Sequence, residues 1–470
     1  MDFDLLVIGN ETESVLAGVA AARAGAQTGL LVRPDQQLGG LLTSGGLAYV
    51  DRDQRHLLPP TRSPHDGIFA EFLARAGVRL VALDPASGER ALSTMLQEAG
   101  VTVLSGNWDK PRSEGMSLCS LRVSDVPISA RFFLDATPDG DLLEALGEPL
   151  AFGFSEYQSD RLLAVSPLPR VLGVTPQEIV ETYQRLAKVT ELQDLRRQAF
   201  GERRFLDIEC GEDYLLLGPP DLALAFMRWR ADHGFAFPLA FAADGFNVAI
   251  LGPADTSWNG LLYFSGDPAT LLEWSRQGAD RVFRREAEIF EEFLQKGLGW
   301  RSAKVLLPDG IYVRQTRHAV NTCLRLSLSM IASDLPVRSV GTFCYYPDFR
   351  GLPVPAIAKP LVAPVALDAG LLVNWRNVAI ASRAAGYTPL AHSLCRLVQY
   401  NVTLGAALGV AAALAASTLA AVPTNAIKTT LARLGLLADD PAGLGDNSAK
   451  TLHLRCASLL QQEEGKTTLS

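Results

Sequence analysis

The stretch Asp4 to Val32, DLLVIGNETESVLAGVAAARAGAQTGLLV, limits the fold more than any other part of the chain. Leu5 to Ile8 form a continuous apolar run, as a buried parallel strand does. Gly9 interrupts it. Val15 to Ala24 are apolar and rich in alanine, which suits a helix lying close on a sheet. Gly25 stands where a helix stops, and Gly29 to Val32 read as the next strand. The pattern is a βαβ unit, which aims a helix N-terminus at the pyrophosphate of a dinucleotide.

Length and charge narrow the alternatives. The chain has 470 residues, 48% of them hydrophobic, enough for a large core and two interleaved domains. A net charge of -8 gives no general attraction to nucleic acid or to an anionic membrane. The six cysteines are scattered with no CxxC pair, which predicts free thiols in a reducing cytoplasm. The six histidines form no HxxxH or HExxH cluster, so no metal site is predicted. Asp2, Asp4 and Glu11 stand where a signal peptide would be basic, and none is predicted. Thr403 to Val422 is uncharged and Ala-rich, long enough for a membrane span but weakly hydrophobic and without basic flanks; a buried helix is the expectation.

Past the second strand, Gly39-Gly40 and Gly45-Gly46 bracket Thr43 and Ser44 in a loop whose backbone is able to approach a ligand. Helical periodicity follows over Asp66 to Ala76 and Ser87 to Ala99, then strands over Val101 to Leu104 and Arg131 to Leu134. The last of these runs into Asp135-Ala136-Thr137-Pro138-Asp139-Gly140-Asp141, a strand end of small and acidic residues such as borders ligands in open α/β sheets. From about Ala151 to Gly310 the character changes to charged helical patterns (Pro176 to Ala187, Glu191 to Ala199, Asp267 to Lys296) mixed with aromatic strands (Tyr214 to Leu217, Leu261 to Phe264), as in an inserted domain. Asp348 to Gly351 and the Pro-rich run to Pro364 read as extended. Asn377 to Ala381 is a buried strand, Arg396 precedes an Ala/Gly-rich helix from Thr403 to Leu414, Ala426 to Leu437 is a short helix, and the tail from Glu463 is polar.

These residues together resemble the FAD-dependent oxidoreductases of the glutathione-reductase-like superfold. The resemblance rests on four motifs in order: LGG-x-x-T-x-G at Leu38 to Gly45, DAT-x-DGDL at Asp135 to Leu142, R-x-x-R at Arg314 to Arg317, and Arg396 with the helix Leu404 to Ala413. It implies an α/β fold: a Rossmann-type parallel sheet domain for FAD, built from residues 1–150 and 311–422, an inserted α+β substrate or cap domain over 151–310, and a helical extension over 423–470. Carried over by position, Gly9, Glu11 and Ser14 would face the pyrophosphate and Arg33 the ribose. Gly39, Gly40 and Thr43 would lie near the isoalloxazine, Asp141 near the ribityl and phosphate region, and Gly405 and Ala406 under the flavin, with Arg383 a further cofactor-binding candidate. Arg314, Arg317 and Arg396 are candidates for a substrate anion or for structural pairing. His392 and His318 are candidates for acid–base work beside a flavin. A satisfied buried histidine competes for His318, a loop hydroxyl for Ser44, core packing for Tyr345 and Tyr346, and a hydrogen-bonded turn for Asp139 and Asp141.

The family pattern is G-x-G-x-x-G; this chain has Gly9-Asn10-Glu11-Thr12-Glu13-Ser14. The second glycine lets backbone approach the pyrophosphate and the third lets the helix pack. A carboxylate about 5 Å from a phosphate charge costs roughly 3 kcal/mol at an effective dielectric near 20. The acid expected to bind the ribose is Arg33, and two more family glycines are Pro138 and Ser382. Two readings follow. In one, FAD binds with Glu11 turned away and Arg33 on a phosphate, and the protein moves a hydride from a small organic substrate to flavin. In the other, Arg33 pairs with Glu11, the pyrophosphate site closes, and the protein is a flavin-free scaffold or binding relative. A binder of another nucleotide is a third reading, since Arg here also suits a 2′-phosphate.

Overall fold

A computed structural model describes residues 2–437, apart from 54–65, 158–161, 203–204, 334 and 351–359. The tail from Glu463 and most of the Pro-rich stretch before Pro364 lie outside the described residues. The opening unit folds as its pattern dictates: β1 (Asp2–Ile8), a helix over Thr12–Arg23, and β2 (Thr28–Val32). Then come β3 (Thr102–Ser105), β4 (Trp108–Glu114), β5 (Ser117–Val123) and β6 (Val126–Asp135). The main sheet runs in the order β3-β2-β1-β6-β5-β4, and the returning strand Val378–Ile380 joins β6. β1 is parallel to both β2 and β6, so the ends of three parallel strands share one edge. β6 is longer than its RFFL core and has different partners along its length. Its start pairs antiparallel with β5, and Phe133 to Asp135 pair parallel with Val378 to Ile380.

Both faces of the parallel strands are covered, which is why they read as unbroken apolar runs. The opening helix lies on one face and is itself covered by the helix Val398–Leu414. This closing helix starts before the expected Thr403. In its first turn Asn401 bonds to residues that precede the helix: the Tyr387 hydroxyl donates to Asn401 Oδ1 (3.0 Å), and Asn401 Nδ2 donates to the Cys395 carbonyl (2.9 Å). It ends at Leu414 and is buried nearly throughout. Among the described residues, no single helix is long and apolar enough to cross a membrane. Two glycines let the helices meet. A Cβ at Gly405 would stand 3.2 Å from Ala17 Cβ, and one at Gly409 only 2.5 Å from the Ala17 carbonyl oxygen.

A second core, rich in aromatics such as Phe226, Trp258, Phe283 and Phe290, lies between Leu162 and Val313. It includes a six-stranded and a four-stranded sheet. The helical run Asp267 to Lys296 is divided. Helix Pro268–Gln277 stops at Gly278, whose φ is +82° and whose Cβ would strike the Asp309 carbonyl. A new helix, Arg281–Glu292, begins under an Asp280 side-chain cap. The break leaves Ser275 and Arg276 at the end of the first helix, over the edge where β1, β2 and β6 finish.

Candidate functional site

The edge is built around Gly9. Its φ is +134°, and a Cβ there would lie 2.6 Å from the Ala136 carbonyl oxygen, so only glycine fits. At the third position of the fingerprint, Ser14 Oγ donates to that same carbonyl at 2.9 Å. The hydroxyl thus bridges helix and strand where a glycine would let them touch.

The opening turn and the Gly39–Gly40 loop bond to each other directly. Gly39 N–H donates to the Asn10 carbonyl (2.7 Å), Asn10 Nδ2 to the Gln37 carbonyl (2.9 Å), and Thr12 Oγ1 to the Gly39 carbonyl (3.1 Å). Glu11 completes the set: its Oε2 accepts the Leu41 N–H at 2.9 Å. Gly40 lies so close to this carboxylate that a Cβ there would be 2.3 Å from it. Thr43 Oγ1 turns back to the Leu38 carbonyl (2.7 Å), and Ser44 Oγ to the Gly40 carbonyl (3.2 Å), which makes Ser44 a loop hydroxyl. Burial raises the Glu11 carboxyl above its usual range, with the Leu41 N–H and Arg383 opposing. Glu13, two residues on, is raised well above it by burial and by Glu11, and its Oε2 is buried without a hydrogen-bond partner among the described residues.

Arg383 spans the next part of the edge. Its Nε donates to the Pro138 carbonyl (3.1 Å), its Nη2 to Asp139 Oδ1 (2.9 Å) and Ser275 Oγ (2.6 Å), and its Nη1 to the Val313 carbonyl. Asp139 also accepts Ser275 Oγ (2.6 Å) and the Thr316 hydroxyl. Burial opposes its ionisation, but Arg383 and the two hydroxyls hold the Asp139 carboxyl below its usual range. Arg33 does not reach Glu11. Its Nη2 pairs with Asp141 Oδ2 at 3.0 Å, and Asp141 also takes Arg276 (2.7 Å) and Arg317 (3.5 Å). Arg317 and Arg276 continue to Glu144. These residues tie the inserted segment onto the sheet.

The other predicted residues fall deeper. His392 is fully buried, with the Arg383 backbone beside its ring. Burial, with Arg396 and His318 nearby, pushes its pKa well below that of free histidine, so it is neutral. His318 Nε2 meets Glu156 Oε2 at 2.8 Å, and Arg325 pairs with the same carboxylate at 2.7 Å. Burial lowers His318, with Glu156 opposing. Despite burial, its two basic neighbours hold Glu156 at about 2. Arg396 binds the Tyr312 hydroxyl and Asp348 Oδ2 (2.5 Å). Arg314 stacks on the same Tyr312 ring at 4.3 Å and donates to Ala164, Ser166 and Asn259. Tyr345 donates to Asp51 Oδ1 (2.7 Å), while Tyr346 is exposed. Gly405 faces the opening helix, against Ala17 and the Glu13 carbonyl, and Ala406 is buried beside it.

The structure therefore brings Gly9, Glu11, Gly39, Gly40, Asp141, Arg33 and Arg383 to one edge, and leaves Gly405 in a helix contact. Ser275, Arg276 and Trp108 belong to the edge and were not read from the sequence. The first two sit in a charged helical run with no motif, and Trp108 begins the outer strand of the β4–β5 hairpin, a polar stretch with no apolar run to mark it. A cleft of about 370 Å³, open solvent included, remains on the Arg33 side of Gly9. A dinucleotide pyrophosphate in the pose the fingerprint implies needs the space between the opening turn and the loop amides. That space carries the Glu11–Leu41 bond and the loop-to-turn bonds, so the residues present do not fit the group in that pose.

The sequence matches the family described as FAD dependent oxidoreductase over residues 4–431. Among solved structures, a flavin-dependent brominase is similar at 8% identity over 93% of this chain and 84% of that one, with a TM-score of 0.43. An FAD dependent oxidoreductase from Pseudomonas aeruginosa is similar at 12% identity over 95% and 94%, with a TM-score of 0.36. A geranylgeranyl bacteriochlorophyll reductase-like protein from Thermoplasma acidophilum is similar at 9% identity over 99% of each chain, with a TM-score of 0.37. No curated protein matches the sequence.

Proposed function

The chain belongs to the FAD dependent oxidoreductase family, and from that premise we propose that it is a flavin-free member, a small-molecule-binding protein whose own side chains have taken over the cofactor's phosphate contacts. One observation supports this above the rest: the Glu11 carboxylate accepts the Leu41 N–H, a donor of the kind a phosphate oxygen would use. The anion that satisfies the loop is part of the chain. A second anion there would meet the Glu11 carboxylate at short range, in a buried place where repulsion is poorly screened.

The test is flavin content. Purified protein is expected to be colourless and to gain no thermal stability from FAD. A ligand at 100 times its Kd would add about 2.7 kcal/mol, which is easily measured. Glu11→Gly combined with Ser14→Gly restores the two glycines of the opening fingerprint and is expected to give a measurable FAD-induced shift. A yellow wild-type preparation overturns the proposal.

A second reading is a flavin oxidoreductase that takes a hydride from a small organic substrate, with FAD supplying the redox chemistry. It is favoured by His392, a neutral ring buried near Arg383 and Arg396 in the segment where the family places a residue over the flavin. The same absorbance measurement decides between the two.

A further inference from the structure

We infer that the last turn of the helix Pro268–Gln277 is a gate over the cleft beside Gly9, latched shut by Arg276 and opened by unwinding of that turn. This rests on the small-molecule-binding proposal in one respect, since it names what controls entry to the sheet edge. With the gate shut, the lining side chains leave room between them for about one water molecule. Gly9, Asp139 and Asp141 line the cleft from the sheet, and Ser275 and Arg276 line it from the inserted segment.

The latch consists of few bonds. Arg276 Nη2 pairs with Asp141 Oδ1 (2.7 Å) and Glu144 Oε2 (2.9 Å). Ser275 Oγ donates to Asp139 (2.6 Å) and accepts from Arg383 (2.6 Å). The Arg276 side chain is 31% exposed and that of Glu144 is 50% exposed, so water and salt weaken the pairs. The latch is also imperfect. Arg276 Nε is buried without a hydrogen-bond partner among the described residues, a cost that hydration of the freed side chain removes.

Opening strands no charge on the sheet side. Asp141 keeps Arg33 and Arg317, and Glu144 keeps Arg317. Asp139 keeps Arg383 and the Thr316 hydroxyl, and Arg383 keeps the Pro138 and Val313 carbonyls. The edge is therefore paired in both positions of the turn, as a two-state element requires. Packing sets the limits of the movement. Leu271 and Trp274 are buried in the aromatic core, and Trp274 Nε1 donates to Asp280 Oδ2 (3.0 Å), which fixes the helix up to that residue. Past Gly278, the Ala279 N–H is tied to the Asp309 carbonyl (2.9 Å). Ser275 to Gln277 lie between these anchors, and none of the three is buried. Such a segment opens locally without unfolding the core beneath it.

The test compares the full chain with Arg276→Ala by two readouts. In hydrogen–deuterium exchange, the amides of Arg276 to Gly278 are expected to exchange about tenfold faster in the variant, the size of two half-exposed ion pairs, while those of Leu271 to Trp274 keep their rate. Asp139 is 1% exposed in the shut form. Its coupling to glycine ethyl ester under carbodiimide is expected to rise by a similar factor. Should the variant lower the urea midpoint, Arg276→Gln, which keeps much of the side-chain bulk, is measured by the same readouts. An unchanged exchange rate in the turn, or a faster one with Asp139 as inert as in the wild type, overturns the inference. Neither readout depends on flavin. A yellow wild-type preparation overturns the flavin-free proposal and leaves the gate standing, whereas a colourless preparation with an unresponsive turn overturns the gate alone.

Discussion

The opening helix is approached from two sides, and the two contacts obey different rules. Along its flank, the closing helix meets it through Gly405 and Gly409, glycine against alanine. At its N-terminus, a belt of polar and charged side chains (Glu11, Glu13, Arg383 and Asp139) fills the ground between the sheet edge and the inserted segment. The flank is a problem of shape, and residues that match the family pattern solve it. The N-terminus is a problem of charge. There the family pattern expects a ligand, and this chain supplies its own ions. Backbone-to-backbone packing holds residue identity because any side chain collides. On the flavin-free proposal, a site without its ligand has no such requirement, and side chains that bond one another suffice.

Removing the centre of the belt tests this most severely. Arg383→Ala leaves the buried Asp139 carboxylate without its cation, and a loss of about 3–5 kcal/mol is expected by chemical denaturation. A loss under 1 kcal/mol, on the scale of an exposed ion pair, would mean the belt is ornamental to stability. On the flank, Gly409→Ala places a methyl 2.5 Å from the Ala17 carbonyl oxygen. A net loss of about 2 kcal/mol is expected even though alanine favours helix. An unchanged or raised Tm would show that the helices separate freely, and the contrast between the two sides would fail.

The smallest effect is a pH slope. Glu13 is raised in the folded protein relative to its ordinary 4.5, mainly by burial, so above that value the folded state holds more protons than the unfolded one. Stability contributed this way is present at low pH and falls as pH rises, by up to about 1.4 kcal/mol per unit. Glu13→Gln removes the titration. Urea midpoints between about pH 5 and pH 8 should decline less steeply than for the wild type. Parallel curves for the two proteins would mean that Glu13 is not a buried acid.

The sheet was legible because burial on both faces leaves an unmistakable apolar run, as in Leu5 to Ile8. The altered fingerprint was equally legible, since Glu11 and Arg33 stand at fixed offsets from Gly9. Their partners were not. Pairing Arg33 with Glu11 was reasonable for two opposite charges near one turn, yet the Leu41 N–H is already beside Glu11, and Asp141 comes to Arg33 from the far end of β6. Nothing in Asp267 to Lys296 announced that Gly278 would stop a helix with Ser275 and Arg276 facing the edge. Gly405 was read as a support for flavin. Its spacing of four from Gly409 is equally the signature of a close helix crossing, and the structure places it in that contact.

The split loyalty of β6 bears on how the molecule comes into being. Phe133 to Asp135 wait for Val378 to Ile380, roughly 240 residues later, or about 10–50 s of synthesis at ordinary ribosomal speed. Until then the nascent chain has an unsealed strand border beside its most hydrophobic segment, an invitation to pair with a neighbour. The nascent chain would rely on chaperones during translation, and ribosome-stalled fragments ending before Val378 should aggregate where longer ones do not.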